Sequence, residues 1–149
     1  MLDHVVFWVG DMARSRAFYD CALAPLGLKR ITGDEHDFAG YGVPGKGYFW
    51  IGPARERPTG THVAFASPDR ATVHAFYEAA LAAGGRDNGA PGLRPHYDPG
   101  YYGAFVLDPD GHNIEAVCRH APGGRGVRRA MRLQPHPPID ALASFWKDA

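Results

Sequence analysis

The chain has 149 residues, which suits one domain built around a single hydrophobic core. Hydrophobic residues make up 45% of it, and the longest apolar runs, such as Val5-Val6-Phe7-Trp8-Val9, fall far short of the roughly 20 residues that span a bilayer, so no membrane association is expected. Lys plus Arg is 16 and Asp plus Glu is 16, so the formal net charge is zero and the basic excess typical of a nucleic-acid binder is absent.

Residues 2–9 are rich in β-branched and aromatic side chains and read as a first strand. No basic, apolar leader precedes it, and the expected location is the cytoplasm. Gly10-Asp11 then supplies a turn and a helix cap, and Phe18, Cys21 and Ala22 recur at helical spacing before Gly27 ends the helix. Short strand candidates follow at Phe38 to Val43 and Gly47 to Ile51. At His62 the order begins again. His4-Val5-Val6-Phe7, Asp11 and Ala17-Phe18-Tyr19-Asp20 recur as His62-Val63-Ala64-Phe65, Asp69 and Ala75-Phe76-Tyr77-Glu78, at a constant offset of 58. The match continues to Gly27 against Gly85, with about half of the paired positions identical. The second half carries strand candidates at Tyr101 to Leu107 and Asn113 to Cys118, joined by Asp108-Pro109-Asp110-Gly111. Each half reads as βαβββ. Cys21 and Cys118 lie far apart with no CxxC neighbour and are expected to be small buried apolar residues.

Three stretches, Leu2-Asp3-His4-Val5, Asp11-Met12-Ala13-Arg14-Ser15-Arg16-Ala17-Phe18-Tyr19 and Asp108-Pro109-Asp110-Gly111-His112-Asn113-Ile114-Glu115-Ala116, resemble the vicinal oxygen chelate superfamily. That superfamily includes glyoxalase I, extradiol dioxygenases, fosfomycin-resistance thiol transferases and bleomycin-binding proteins. The resemblance covers residues 2–119. It implies an α+β fold of two tandem βαβββ modules forming a cupped mixed sheet with helices on the outer face. The domain is then residues 1–121, with module one at 1–57 and module two at 58–121, leaving 122–149 as a C-terminal extension. It also implies a divalent metal in the cup, held by residues from the first and last strands of the modules. A homodimer follows as well, in which His4 of one chain meets His62 and Glu115 of the other.

Strand parity agrees with that ligand set. His4 shares a face with Val6 and Trp8, while Val5, Phe7 and Val9 point toward the helix; His62 likewise shares a face with Ala64 and Ala66. Glu115 lies between Ile114 and Ala116, so burying those two against the helix aims Glu115 into the cup. Two imidazoles and a carboxylate suit Zn²⁺, Mn²⁺, Fe²⁺, Ni²⁺ or Co²⁺ and leave positions open for water or substrate oxygens. The family's fourth ligand position falls on Phe49-Trp50-Ile51, where parity selects Trp50, which cannot ligate. The set is therefore closer to the three-ligand pattern of the dioxygenases and thiol transferases than to the four-ligand pattern of glyoxalase I.

The segment from Gly92 to Gly103 combines basic, acidic and aromatic groups with several Gly and Pro, as a specificity loop would. Within it His96 is the first candidate for a general base, and Arg94 is a candidate to steer a carboxylate or enolate. Trp8, Tyr41 and Trp50 are candidates for an aromatic wall, together with at most one of Tyr101 and Tyr102, which point to opposite faces of a strand. His112 follows a tight turn and is expected to face solvent. No role is assigned to His36, His74 or His112, and His120 and His136 lie beyond the repeat. In the extension, Pro122-Gly123-Gly124 and a run of arginines read as a basic linker, and Ile139, Leu142, Ala143 and Trp146 as a short helix.

The expectation is a metal-dependent enzyme acting on a small molecule, a glyoxalase-like lyase or isomerase that stabilises an enolate or oxyanion. The alternatives are an Fe²⁺ extradiol-type dioxygenase or thiol transferase, and a metal-free cup that binds an antibiotic or metabolite.

Overall fold

Both halves of the chain fold into the same unit, a strand, a helix and three further strands. The computed structural model describes residues 2–33, 38–56, 58 and 60–120. The basic linker and terminal helix expected of the extension, together with His36 and His136, lie outside the described residues. In chain order the elements are β1 (Val5–Val9), α1 (Met12–Ala22), β2 (Lys29–Thr32), β3 (Ala39–Val43), β4 (Lys46–Pro53), β5 (His62–Ala66), α2 (Arg70–Ala82), β6 (Arg86–Leu93), β7 (Tyr102–Leu107) and β8 (Asn113–Cys118). They form two four-stranded sheets, ordered β1-β4-β3-β2 and β5-β8-β7-β6. In each, the first strand pairs parallel with the last and the other pairings are antiparallel.

The helices start where side-chain caps allow. Asp11 accepts the Arg14 amide at 2.9 Å and Asp69 accepts the Thr72 amide at 2.7 Å, each satisfying one of the amides that a helix leaves orphaned. Ser15, Phe18, Tyr19 and Ala22 of α1 and Val73, Phe76 and Ala80 of α2 face inward. Phe7, Val9, Tyr41, Phe49, Ile51, Val106, Ile114 and Ala116 complete the core from the sheets. Cys118 is buried as expected, whereas Cys21 is exposed: the inward stripe of α1 runs through Ser15, Phe18, Tyr19 and Ala22, and Cys21 lies off it.

Strands β2 and β6 carry little strand signal of their own. The sequence of β6 is Arg-Asp-Asn-Gly-Ala-Pro-Gly-Leu, and its pairing with β7 slips twice around Gly89. It is an edge strand, where a proline need not cost the sheet a ladder hydrogen bond.

A polar network ties the modules together. The buried Tyr19 hydroxyl donates to Asp108 Oδ2 at 2.6 Å, while Asp108 Oδ1 accepts the amides of Asp110 and His112 at 2.9 and 2.8 Å. Asp110 in turn accepts from the Gly10 amide and the Ser15 hydroxyl, both at 3.2 Å, and Arg14 donates to the Pro109 carbonyl at 2.6 Å. His112 does not face solvent. It is 2% exposed, its ring packs on Phe7, Nδ1 accepts the Thr61 amide at 3.1 Å, and Nε2–H donates to the Trp8 carbonyl at 3.2 Å. The turn docks into the start of module one, and that docking buries the histidine behind it. Among the described residues no helix is long and apolar enough to cross a membrane.

Candidate functional site

The second sheet turns a shallow floor of small residues away from its helix. Pairing places Ala64, Glu115 and Phe105 in one row across β5, β8 and β7, with Gly89 of β6 beyond. The next row holds Ala66, Val117, Gly103 and Gly92. Partners in register share a face, so all of these lie on the concave side. A Cβ at Gly103 would stand 2.8 Å from Glu115 Oε1, so the carboxylate lies close over the bare backbone there.

Glu115 is only 1% exposed, and both oxygens are engaged. The Tyr101 hydroxyl donates to Oε1 at 2.5 Å, and Oε2 lies 3.3 Å from His62 Nε2. The other imidazole nitrogen, Nδ1, is 3.0 Å from the Asn113 carbonyl. A carbonyl can only accept, so Nδ1 donates to it and Nε2 is the ring atom that faces the carboxylate. Two electron-rich atoms that close need a positive charge between them, either a proton on Nε2 or a metal ion. Their separation lets both reach one ion at bond lengths of about 2.0–2.2 Å. The donor set therefore fits a divalent metal, with Asn113 holding the ligand tautomer. Burial, and then the hydrogen bond to Glu115, push the Tyr101 phenol up to about 12, so it remains a neutral donor across the physiological range.

The other candidates distribute unevenly. His62, Glu115 and Tyr101 come together, and Arg94 joins them: its guanidinium lies 5.5 Å from the Phe105 ring, against which His62 stacks at 6.4 Å. His96 is exposed and packs on Tyr97, itself against Tyr101, so two aromatic rings separate it from Glu115. Tyr102 points to the opposite face, where its hydroxyl meets His74 Nε2 at 2.7 Å and Arg70 covers its ring, so it does not line the cup. Tyr41 is no wall residue either. It pairs with Phe49, shares its core-facing side and is fully buried against Tyr19. Asn113, Gly103 and Phe105 were not singled out in the sequence, although counting by twos along β7 and β8 from Glu115 would have found Phe105 and Asn113.

Trp50 belongs to the first sheet, and His4 lies just before its first strand. Val6 pairs with Trp50 as Ala64 pairs with Glu115, so Trp50 occupies in module one the place that Glu115 holds in module two. Its ring lies across Gly40 and Gly47, where added Cβ atoms would stand 2.8 and 2.9 Å from it. Trp8 stays half exposed beside Phe38. His4 Nδ1 contacts Asp3 Oδ1 at 2.9 Å, and Lys46 pairs with the same carboxylate. Among the described residues of one chain no three His, Cys, Asp or Glu side chains cluster to hold a metal, so His4 stands apart from the His62–Glu115 pair.

Comparison with known proteins places this geometry. A family model described as the Glyoxalase/Bleomycin resistance protein/Dioxygenase superfamily matches residues 1–116. A glyoxalase/bleomycin resistance protein from Albidiferax ferrireducens T118 is 30% identical, covers 79% of this chain and 98% of its own, and superposes with a TM-score of 0.67. A glyoxalase-related enzyme from Fulvimarina pelagi is 22% identical over 79% of this chain and 87% of its own, with a TM-score of 0.61. Lactoylglutathione lyase from Agrobacterium tumefaciens, at 16% identity over 79% and 92%, has a TM-score of 0.60. The last two likenesses show the fold alone. No curated protein matches the sequence.

Proposed function

Because the chain belongs to the Glyoxalase/Bleomycin resistance protein/Dioxygenase superfamily, we propose that it is a metal-dependent enzyme whose small-molecule substrate offers two vicinal oxygens, a lyase or isomerase that stabilises an enolate or oxyanion. The observation that carries the reading is His62 Nε2 facing a buried Glu115 oxygen at 3.3 Å, with Nδ1 turned to the Asn113 carbonyl. His62 and Glu115 would hold the ion, and His4 of the partner subunit would complete the set in a homodimer, since no three such side chains cluster among the described residues of one chain.

A divalent ion bound there would supply Lewis acidity toward the developing negative charge on substrate oxygens. The protein's own groups prepare that place. Tyr101 occupies Glu115 Oε1 and leaves Oε2 to face His62, which fixes the carboxylate in one orientation before any ligand arrives. The Ala64, Ala66 and Gly103 floor leaves room above it, and Phe105 offers an apolar surface on which a substrate's carbon skeleton can lie.

The same three donors, two histidines and one carboxylate, are those of non-haem Fe²⁺ oxygenases, and Trp50 in the remaining position favours an extradiol-type dioxygenase as the second reading. Metal content separates the two. Protein purified without chelator or a metal-binding tag is expected to carry near-stoichiometric divalent metal by elemental mass spectrometry, lost in His62→Ala. Zinc or nickel supports the lyase or isomerase; iron supports the dioxygenase. Failure to bind any of these ions after reconstitution would overturn both and turn attention to a metal-free binding cup.

A further inference from the structure

Arg94 follows β6, yet its guanidinium folds back over the concave face. Gly92 pairs with Gly103, the glycine beneath the Glu115 carboxylate, so the two share a face. A Cβ at Gly92 would stand 2.8 Å from Arg94 Nη1, and one at Gly89 would stand 3.3 Å from Nη2. The arginine head therefore rests on the bare backbone of the edge strand, in the same bowl as Glu115. Two carbonyls pin it: Nη2 donates to Ala90 at 2.8 Å and Nη1 to Leu93 at 3.3 Å. The Phe105 ring lies alongside at 5.5 Å.

What the arginine lacks is an anion. Among the described residues no carboxylate lies within ion-pair distance of it, whereas Arg30 pairs with Asp20 at 3.2 Å and Arg119 with Asp98 at 3.6 Å. A guanidinium has five donors in a fixed fork, and the two carbonyl bonds leave others to present. A flexible cation that is half-buried, immobilised by the backbone and left without a counter-charge is arranged to receive one. The Phe105 ring neighbours both Arg94, at 5.5 Å, and His62, at 6.4 Å, so an anion at Arg94 and an oxygen pair at His62 and Glu115 can belong to one small molecule lying on that ring.

We propose that Arg94 is the specificity-determining residue of the site and that the substrate carries a carboxylate in addition to its vicinal oxygen pair. This rests on the metal-dependent reading for the oxygen pair but not for the carboxylate, and the two can be tested apart. The probes are catechol, which has only the vicinal oxygens, and 3,4-dihydroxybenzoate, which adds a carboxylate on the same ring.

Titration calorimetry of the zinc-loaded full chain is expected to show 3,4-dihydroxybenzoate binding at least tenfold more tightly than catechol. In Arg94→Met, which keeps the bulk and removes the charge, that preference, taken as the ratio of the two affinities in the same variant, is expected to fall to within twofold. Arg94→Lys should recover only part of it, since a point charge replaces the planar fork. Equal affinity for the two probes in the wild-type chain, or a preference that survives in Arg94→Met, overturns the proposal. If zinc does not bind, the metal-dependent reading falls and the carboxylate is judged on metal-free protein. There, a preference for 3,4-dihydroxybenzoate that Arg94→Met abolishes sustains the proposal, and equal binding of both probes refutes it.

Discussion

The two modules share a fold, a repeat and a histidine at the same repeat position, yet one builds a closed aromatic floor and the other an open polar one. In module one Trp50 lies over Gly40 and Gly47 and is only 6% exposed. In module two the matching place holds Glu115 above Gly103, beside exposed Ala64 and Ala66. Duplicated architecture thus supplies a pair of platforms, and the side chain at one register position decides whether a platform is covered by a packed ring or presents a carboxylate. The scaffold leaves that choice open.

The sharpest way to break the comparison is to truncate each of the two matched residues. Glu115→Ala is expected to lower metal affinity by 100-fold or more, measured by competition with a chromogenic chelator, with a modest stability loss of about 1–3 kcal/mol from the abandoned Tyr101 hydroxyl. Trp50→Ala should do the reverse. It leaves a void over two glycines and is expected to cost about 3–5 kcal/mol in denaturant unfolding while bound metal stays near-stoichiometric. Loss of metal in Trp50→Ala with stability intact would mean the modules do not divide the work in this way.

Tyr101→Phe probes the support beneath Glu115 rather than Glu115 itself. Removing the 2.5 Å hydrogen bond frees Oε1, and metal affinity is expected to fall by about 10- to 100-fold, as is usual when a ligand loses the partner that orients it. Unchanged affinity would show that the Gly103 floor alone fixes the carboxylate.

Much of this asymmetry was legible before the structure. The repeat paired His4 with His62, and strand parity put Glu115 and Trp50 on the concave side, because alternation along a strand is a local property that one buried neighbour is enough to anchor. What parity cannot see is contact across the fold. His112 follows a glycine in a turn and reads as exposed, but its partners, the Thr61 amide and the Trp8 carbonyl, come from 51 and 104 residues away. Tyr41 was misplaced because glycines on both sides leave β3 without an apolar pattern to set its parity. The chemistry of Arg94 is visible in the sequence but its place in the bowl is not, because that place depends on irregular pairing of an edge strand whose residues resemble a loop.

The contact between modules can also be tested with pH. Burial, then the negative charge of Asp108, raises the Tyr19 phenol well above its ordinary 10.0, so the folded state favours the neutral hydroxyl. A group whose folded value is raised contributes its full stability below the unfolded value and loses it as pH climbs from there toward the folded value. Tyr19→Phe is therefore expected to cost about 1–3 kcal/mol at pH 7, by leaving Asp108 Oδ2 without its donor. Above pH 10 the gap between the variant and the wild-type chain should narrow, because only the wild type has this phenol to ionise. A gap that stays constant up to pH 11 in urea titrations would show that the hydroxyl does not bear on the docking of the turn.

The smallest effect belongs to the helix that both modules copy. Asp69 caps α2 through the Thr72 amide, and that bond lowers its carboxyl below the ordinary 3.8. The sign is opposite to that of Tyr19: the stabilisation is complete above 3.8 and fades as pH falls through the lowered folded value. Asp69→Ala should cost about 1 kcal/mol at pH 7, while Asp69→Asn keeps the cap and loses only its pH dependence. Asp11 caps α1 with the same geometry, so its alanine variant should match within the error of the measurement. A large difference between the two would mean that the modules diverge in their helices as well as in their floors, and that the division between a packing platform and a reactive one reaches through the sheet.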